Sequence, residues 1–171
     1  MAAEFLLVST IIGVLSGIIA SLVFFHLLTR IRPKLQISDK IAKKKSSGTS
    51  EVAYKIKVIN KTHHPIINVK AQLHLVTPVV VPGGILLKTR EIPLKRNEIL
   101  CIEKFDSNDE QAKYAFRFVT YENIDDIWKE DEKSFLRFRV IATDSFSGFT
   151  KVFVKDYQRL STFYEFKCLT P

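Results

Sequence analysis

From Phe5 to Leu28 the chain reads FLLVSTIIGVLSGIIASLVFFHLL, 24 residues without a charged side chain. As a helix rising 1.5 Å per residue this run spans about 36 Å, enough to cross a bilayer core of about 30 Å with some tilt. The pattern predicts a transmembrane helix over residues 5–29, preceded by a short external terminus, residues 1–4. A cleaved signal peptide has a basic start, a shorter apolar region and a small-residue cleavage site. Met1 to Glu4 carries no Lys or Arg, so the run reads as a retained single-pass anchor.

Beyond the anchor the period of the pattern changes. Tyr54, Ile56 and Val58 alternate with Lys55 and Lys57, and Ile67, Val69, Ala71, Leu73 and Leu75 alternate with Asn68, Lys70, Gln72 and His74. A period of two marks half-buried strands. Further strands are predicted at Leu35 to Ile41, Ile99 to Phe105, Tyr114 to Val119, Phe135 to Thr143, Phe149 to Tyr157 and Phe163 to Cys168. Turn-forming residues separate them at Lys61 to Pro65, Pro82-Gly83-Gly84, Asp106 to Asp109 and Asp144 to Gly148. Only Tyr121 to Lys133 carries a helical spacing, with Ile124, Ile127 and Trp128 at i, i+3 and i+4. The predicted fold class is mainly β, a single transmembrane helix followed by an antiparallel, immunoglobulin-like β-sandwich. Residues 30–50 form a basic juxtamembrane segment with the first strand and an exposed turn over Lys40 to Ser50. Residues 51–171 supply the remainder of the sandwich.

Composition narrows the class. With 171 residues the chain holds one folded unit and an appendage, and 46% hydrophobic content with only 6 Gly and 6 Pro excludes a disordered chain. Thirteen Phe and five Tyr suit pleated, half-buried surfaces. The net charge of +8 is concentrated: Arg30, Arg32, Lys34, Lys40, Lys43, Lys44 and Lys45 lie within sixteen residues against Asp39 alone. No Lys or Arg precedes the anchor. Positive flanks stay in the cytoplasm, so the amino terminus is expected outside the cell membrane and the β domain in the cytosol. Arg30, Arg32, Lys34, Lys43, Lys44 and Lys45 are expected to contact lipid headgroups. A charge excess confined to this segment argues against binding of a nucleic-acid duplex. Asn60-Lys61-Thr62 matches a glycosylation acceptor, a chance match if the domain is cytosolic.

The segments Arg32-Pro33-Lys34-Leu35-Gln36-Ile37-Ser38, Tyr54-Lys55-Ile56-Lys57-Val58-Ile59-Asn60 and Phe138-Arg139-Val140 through Asp144-Ser145-Phe146-Ser147-Gly148-Phe149-Thr150-Lys151-Val152-Phe153 resemble the cytoplasmic domain of inward-rectifier potassium channels. The resemblance implies an immunoglobulin-like fold and a tetramer. Such channels also need two membrane helices around a Thr-Val-Gly-Tyr-Gly filter. This sequence has one apolar run of membrane length and no such filter, so potassium conduction by that mechanism is not expected.

Within the anchor, Ser9, Gly13, Gly17 and Ser21 recur every four residues and predict a face along which two helices approach closely, favouring a homo-oligomer. His26, near the basic end, suits headgroup contact. Arg137, Arg139, Lys151 and Lys155 alternate on neighbouring predicted strands and form a candidate ligand patch for phosphates, against the plainer reading of a polar sheet face. No phosphate loop, dinucleotide fingerprint or nucleophile elbow occurs. His63-His64-Pro65 reads as a turn, and no metal or other cofactor is expected. Cys101 and Cys168 read as free thiols in or near the core. The acidic groups Asp106, Asp109, Glu110 and Glu122, Asp125, Asp126, Glu130, Asp131, Glu132 read as solvated loops.

The resulting expectation is a non-enzymatic, membrane-anchored protein whose cytosolic β-sandwich is an interaction or assembly module for a protein partner. The alternative is a membrane-disrupting effector triggered by a nucleotide ligand or partner. In layout the chain is similar to small bacterial antiviral effectors that join membrane helices to a cytosolic β domain.

Overall fold

A computed structural model of the chain describes residues 2–45, 52–129, 133–158 and 163–165. It opens with the helix α1 (Ala2–Arg30). The segment Phe5–Arg30 is long and apolar enough to cross a membrane, and its most apolar stretch is not buried in the protein. A helix that is apolar all round and uncovered needs an apolar solvent, so the helix and the β domain together fit a membrane-anchored protein. Its hydroxyls are satisfied within the helix: Ser9 and Thr10 donate to the Leu6 carbonyl, Ser16 to Gly13 and Ser21 to Gly17. Near its end Leu28 and Thr29 become half-buried, and Pro33 is buried.

Ten strands follow among the described residues: β1 (Leu35–Ile37), β2 (Ile41–Lys45), β3 (Val52–Asn60), β4 (Ile66–Val81), β5 (Gly84–Ile92), β6 (Glu98–Ile102), β7 (Ala115–Thr120), β8 (Phe135–Asp144), β9 (Thr150–Tyr157) and β10 (Phe163–Glu165). A short helix, α2 (Ile124–Lys129), joins β7 to β8. The first sheet is built on β3, which pairs antiparallel with β7 along one edge and with β1 and β2 along the other. In the second sheet β4 pairs antiparallel with β8 on one side and with β5 and β6 on the other, and β8 carries β9. The β-rich, antiparallel architecture is as the alternation predicts. One pair departs from it, since β10 runs parallel to β2.

The two sheets share one hydrophobic core. Ile41, Tyr54, Ile56, Val58 and Phe118 from the first cluster with Leu73, Leu136, Phe138 and Val140 from the second. The Phe118 and Phe138 rings meet across the layers at 5.6 Å.

Three local expectations are corrected. The strand expected from Leu35 to Ile41 is broken and longer, because β1 and β2 form one interrupted ribbon along β3. Between Ile37↔Val58 and Ala42↔Lys55 this ribbon has two residues more than its partner. Ser38 bridges the interruption, its N–H donating to the Lys57 carbonyl and its hydroxyl accepting from the Lys57 N–H. Half of the expected turn is therefore the strand Ile41–Lys45, while residues 46–50 lie outside the described residues. In β4, Asn68 sits at φ +52° and the register slips between Ile67 and Lys70. A bulge of this kind reverses the facing upstream of it, so Ile66 rather than Ile67 is in the core. Lastly, β5 has no counterpart among the expected strands. Glu130, Asp131 and Glu132, and the end of the last expected strand at residues 166–168, lie outside the described residues.

Candidate functional site

The anchor joins the domain at a cleft of about 200 Å³ lined by Arg30, Ile31, Arg32, Lys34, Lys61, Thr62, His63, His64 and Asp144. The linker is pinned by the Lys61 N–H donating to the Lys34 carbonyl at 2.8 Å. Below it, the loop between β3 and β4 is organised by Asn60, which is fully buried. Asn60 Nδ2 donates to the carbonyls of His64 (2.8 Å) and Glu103 (2.9 Å), and Oδ1 accepts from the Thr62 N–H and hydroxyl. The Asn60-Lys61-Thr62 motif is thus a loop-building device with its amide enclosed.

The other wall of the cleft is the β8–β9 turn. Asp144, also fully buried, accepts at Oδ1 from the N–H groups of Phe146 (3.0 Å) and Ser147 (2.8 Å) and from the Ser147 hydroxyl. Gly148 closes this turn at φ +72°, a left-handed conformation suited to glycine. The Ser145 N–H donates to the Pro65 carbonyl, and the His64 ring stacks on Phe146 at 5.1 Å. The two loops are therefore tied together. Asp144 Oδ2, by contrast, is buried and, among the described residues, accepts no hydrogen bond.

Of the residues expected at headgroups, Arg30, Arg32 and Lys34 converge on this cleft. Lys43, Lys44 and Lys45 do not. Their partners on β3 are Tyr54, Ala53 and Val52, six to eight residues from Asn60, or about 20–26 Å along the strand. Lys43 is moreover engaged by Asp125 Oδ2 at 2.6 Å. The same Asp125 oxygen accepts from the Tyr54 hydroxyl at 2.9 Å. Burial and this bond raise the Tyr54 pKa well above that of a free phenol.

The candidate ligand patch is divided by register. Arg137 stands opposite Asp156 and Arg139 opposite Val154, whereas Lys155 stands opposite buried Phe138 and Lys151 opposite buried Ala142. Directly opposed residues share a face and successive ones alternate, so the two arginines and the two lysines project from opposite faces. Arg137 binds Asp156 through two hydrogen bonds of 2.8 Å, which raises its pKa further. Lys155 meets Asp39 at 2.6 Å and holds that carboxyl below its ordinary range. Cys101 is exposed, not in the core, because the Ile67↔Cys101 pair lies on the outer side of the bulge. Cys168 lies outside the described residues. In the anchor, Ser9, Gly13, Gly17 and Ser21 all lie on α1, and none of the described residues lies within 4 Å of a side-chain carbon built at Gly13 or Gly17.

A second surface is the part of the β4–β5 hairpin that outruns its sheet. β8 pairs with β4 only as far as Val76, whereas β5 pairs with it on to Val81. Thr77 onward is therefore a two-stranded arm, closed at Pro82-Gly83 with Gly83 at φ +103°. Its side chains are apolar and exposed: Val80 81%, Ile85 69%, Leu86 58% and Leu87 47%. β4 starts beside the anchor junction at Ile66, so sixteen residues carry the arm's tip about 50 Å from it.

No family model and no curated protein matches the chain. Among solved structures it is similar to Spo0M, the sporulation control protein of Bacillus subtilis, at 16% identity and a TM-score of 0.38, over 73% of this chain. The match takes in 48% of Spo0M, so the chain spans about half the length of that protein. The inward-rectifier resemblance is not confirmed by these comparisons.

Proposed function

We propose that this chain is a non-enzymatic, single-pass membrane protein whose β domain, facing the cytosol, is an assembly module that binds further copies of the same chain. The observation that carries the reading is the apolar β4–β5 arm. A two-stranded ribbon is marginal in water by itself, and contiguous exposed apolar surface marks a protein contact. On one face lie the cross-strand pairs Val80↔Ile85 and Pro78↔Leu87, and on the other Val79↔Leu86. Among the described residues the outer edge of β5 pairs with no strand, so a second arm can add to it edge to edge. Anchoring favours this partner over a soluble one, because copies held in one membrane plane meet at high effective concentration.

The cytosolic orientation is supported by the basic residues that follow the anchor. A reporter active only in the cytosol, fused after Pro171, is expected to be active, and protease digestion of the domain from outside intact cells would refute the orientation. For assembly, the full chain in nanodiscs is expected to run as a dimer or larger species by mass photometry, and Val80→Lys/Ile85→Lys as a smaller one. Identical particle masses for parent and double variant would remove the arm from the interface.

A further inference from the structure

The β8–β9 turn is the part of the domain that faces the anchor. β4 leads away from the junction and β8 runs antiparallel to it, with Asp144 opposite Ile66, so β8 returns toward the membrane and its turn projects on that side. On the turn stands Phe146, 65% exposed, whereas Phe138, Phe149 and Phe153 on and beside the flanking strands are buried or half-buried. Turn positions ordinarily take small or polar residues, and a ring left in water is unfavourable. The ring is nonetheless held firmly. The Phe146 N–H donates to Asp144 Oδ1 at 3.0 Å, Gly148 closes the turn behind it, and the ring stacks on His64 at 5.1 Å.

The surroundings of the ring match one solvent. His64 lines the junction cleft together with Arg30, Arg32 and Lys34, and among the described residues these three cations have no acidic partner at ion-pair distance. Arg30 ends the apolar segment of the anchor, which puts the three at the level of the lipid phosphates, where Arg and Lys make charge-assisted hydrogen bonds. Taken as a cube, the cleft of about 200 Å³ measures roughly 6 Å across, comparable with the headgroup layer of about 5–7 Å on each side of the hydrocarbon core. Phe146, across that cleft from the anchor, therefore stands within reach of the bilayer interface. An apolar ring beside Lys and Arg is the composition of an interfacial membrane contact.

On this basis, and resting on the membrane-anchored reading above, we infer that the β8–β9 turn is a second membrane contact: Phe146 enters the interface of the bilayer that holds α1, and Arg30, Arg32 and Lys34 meet lipid phosphates beside it. The domain is then attached at two points, the anchor and the turn. Two points restrict its tilt, which holds the β4–β5 arms of neighbouring copies at one height above the membrane.

The test uses the full chain in nanodiscs of mixed phosphatidylcholine and phosphatidylglycerol, with and without bromine near the headgroup end of the acyl chains. Bromine quenches tryptophan emission only at near contact. The parent supplies its own control, because its single tryptophan, Trp128, is buried and bonded to Ser134 at the far end of the ten-residue β8, about 33 Å from the turn. Parent emission is expected to be the same with and without bromine. Phe146→Trp, an aromatic exchange at an exposed position, is expected to add blue-shifted emission that brominated lipid removes. Val80→Trp, on the arm about 50 Å from the junction, is expected to add emission that brominated lipid leaves intact. Added emission in Phe146→Trp that survives bromine would overturn the inference, whether red-shifted, as for a ring in water, or blue-shifted, as for a ring covered by a second copy of the chain. Equal quenching in Phe146→Trp and Val80→Trp would overturn it too, since the domain would then lie along the bilayer instead of standing on the turn. Failure of the parent chain to enter nanodiscs at all would instead refute the membrane-anchored reading.

Discussion

Removing the Asn60 amide strips partners from the Thr62 N–H and from the Glu103 carbonyl, while the His64 carbonyl keeps the Thr62 hydroxyl at 2.7 Å. Each buried group left unsatisfied costs about 1–3 kcal/mol, so Asn60→Ala is expected to lower stability by about 3 kcal/mol or more. Urea denaturation followed through the single tryptophan, Trp128, measures it, and a loss under about 1 kcal/mol would show that water replaces the amide. Trp128 is a suitable reporter because it is buried and its Nε1 donates to the Ser134 carbonyl at 2.8 Å. The motif around Asn60 is visible in the sequence as an acceptor for glycosylation, but its actual work is not. Nothing local distinguishes an Asn that closes a loop over the core from one that faces solvent. Asp144 is similar: its place at the head of a Ser-Phe-Ser-Gly turn is legible, whereas its burial beside the anchor depends on β4 bringing Pro65 to Ser145.

At the scale of elements, α2 is held to the first sheet by Asp125, which accepts from both Lys43 and Tyr54. Burial and the Asp125 bond raise the Tyr54 pKa, and burial raises that of Tyr157. A group whose pKa is higher folded than unfolded contributes stability that is complete below its unfolded value, about 10 for Tyr, and lost as pH rises beyond it. Stability is therefore expected to fall above pH ~10. Tyr54→Phe should weaken the protein at pH 7 by about 1–2 kcal/mol and flatten the alkaline fall, leaving the part due to Tyr157. Denaturation midpoints at neutral pH and above pH ~10 check both statements, and an equally steep fall in the variant would contradict the assignment to Tyr54. The period-two pattern locates β3, β4, β7 and β8 because each buries alternate residues, as in the β8 run from Leu136 to Ala142. It misses β5, whose residues are exposed on both faces until Ile92. A strand that faces no core has no periodicity to display.

For the whole molecule, the assembly proposed above has two candidate sources, the arm of the β domain and the small-residue face of α1. Ser9 and Ser21 bond their own helix carbonyls, so that face offers close backbone contact more than hydrogen bonds between helices. Gly13→Leu/Gly17→Leu is expected to weaken association of the isolated anchor in a bilayer, whereas Val14→Leu changes little. Equal association of the double variant and the parent would leave assembly to the arm alone. The existence of the anchor, the β class of the domain and the basic junction follow from the linear chain, because they rest on run length, on period and on net charge, which need no partner in space. Which basic residues share a surface follows only from the pairing of strands. Register puts Arg137 and Lys155 on opposite faces and carries Lys43 away from Arg32. The bulge at Asn68 reverses the facing of Ile66 and Ile67. A shift of one residue moves a strand's side chains to the other face, and that shift is set by the pairing of segments far apart in the chain.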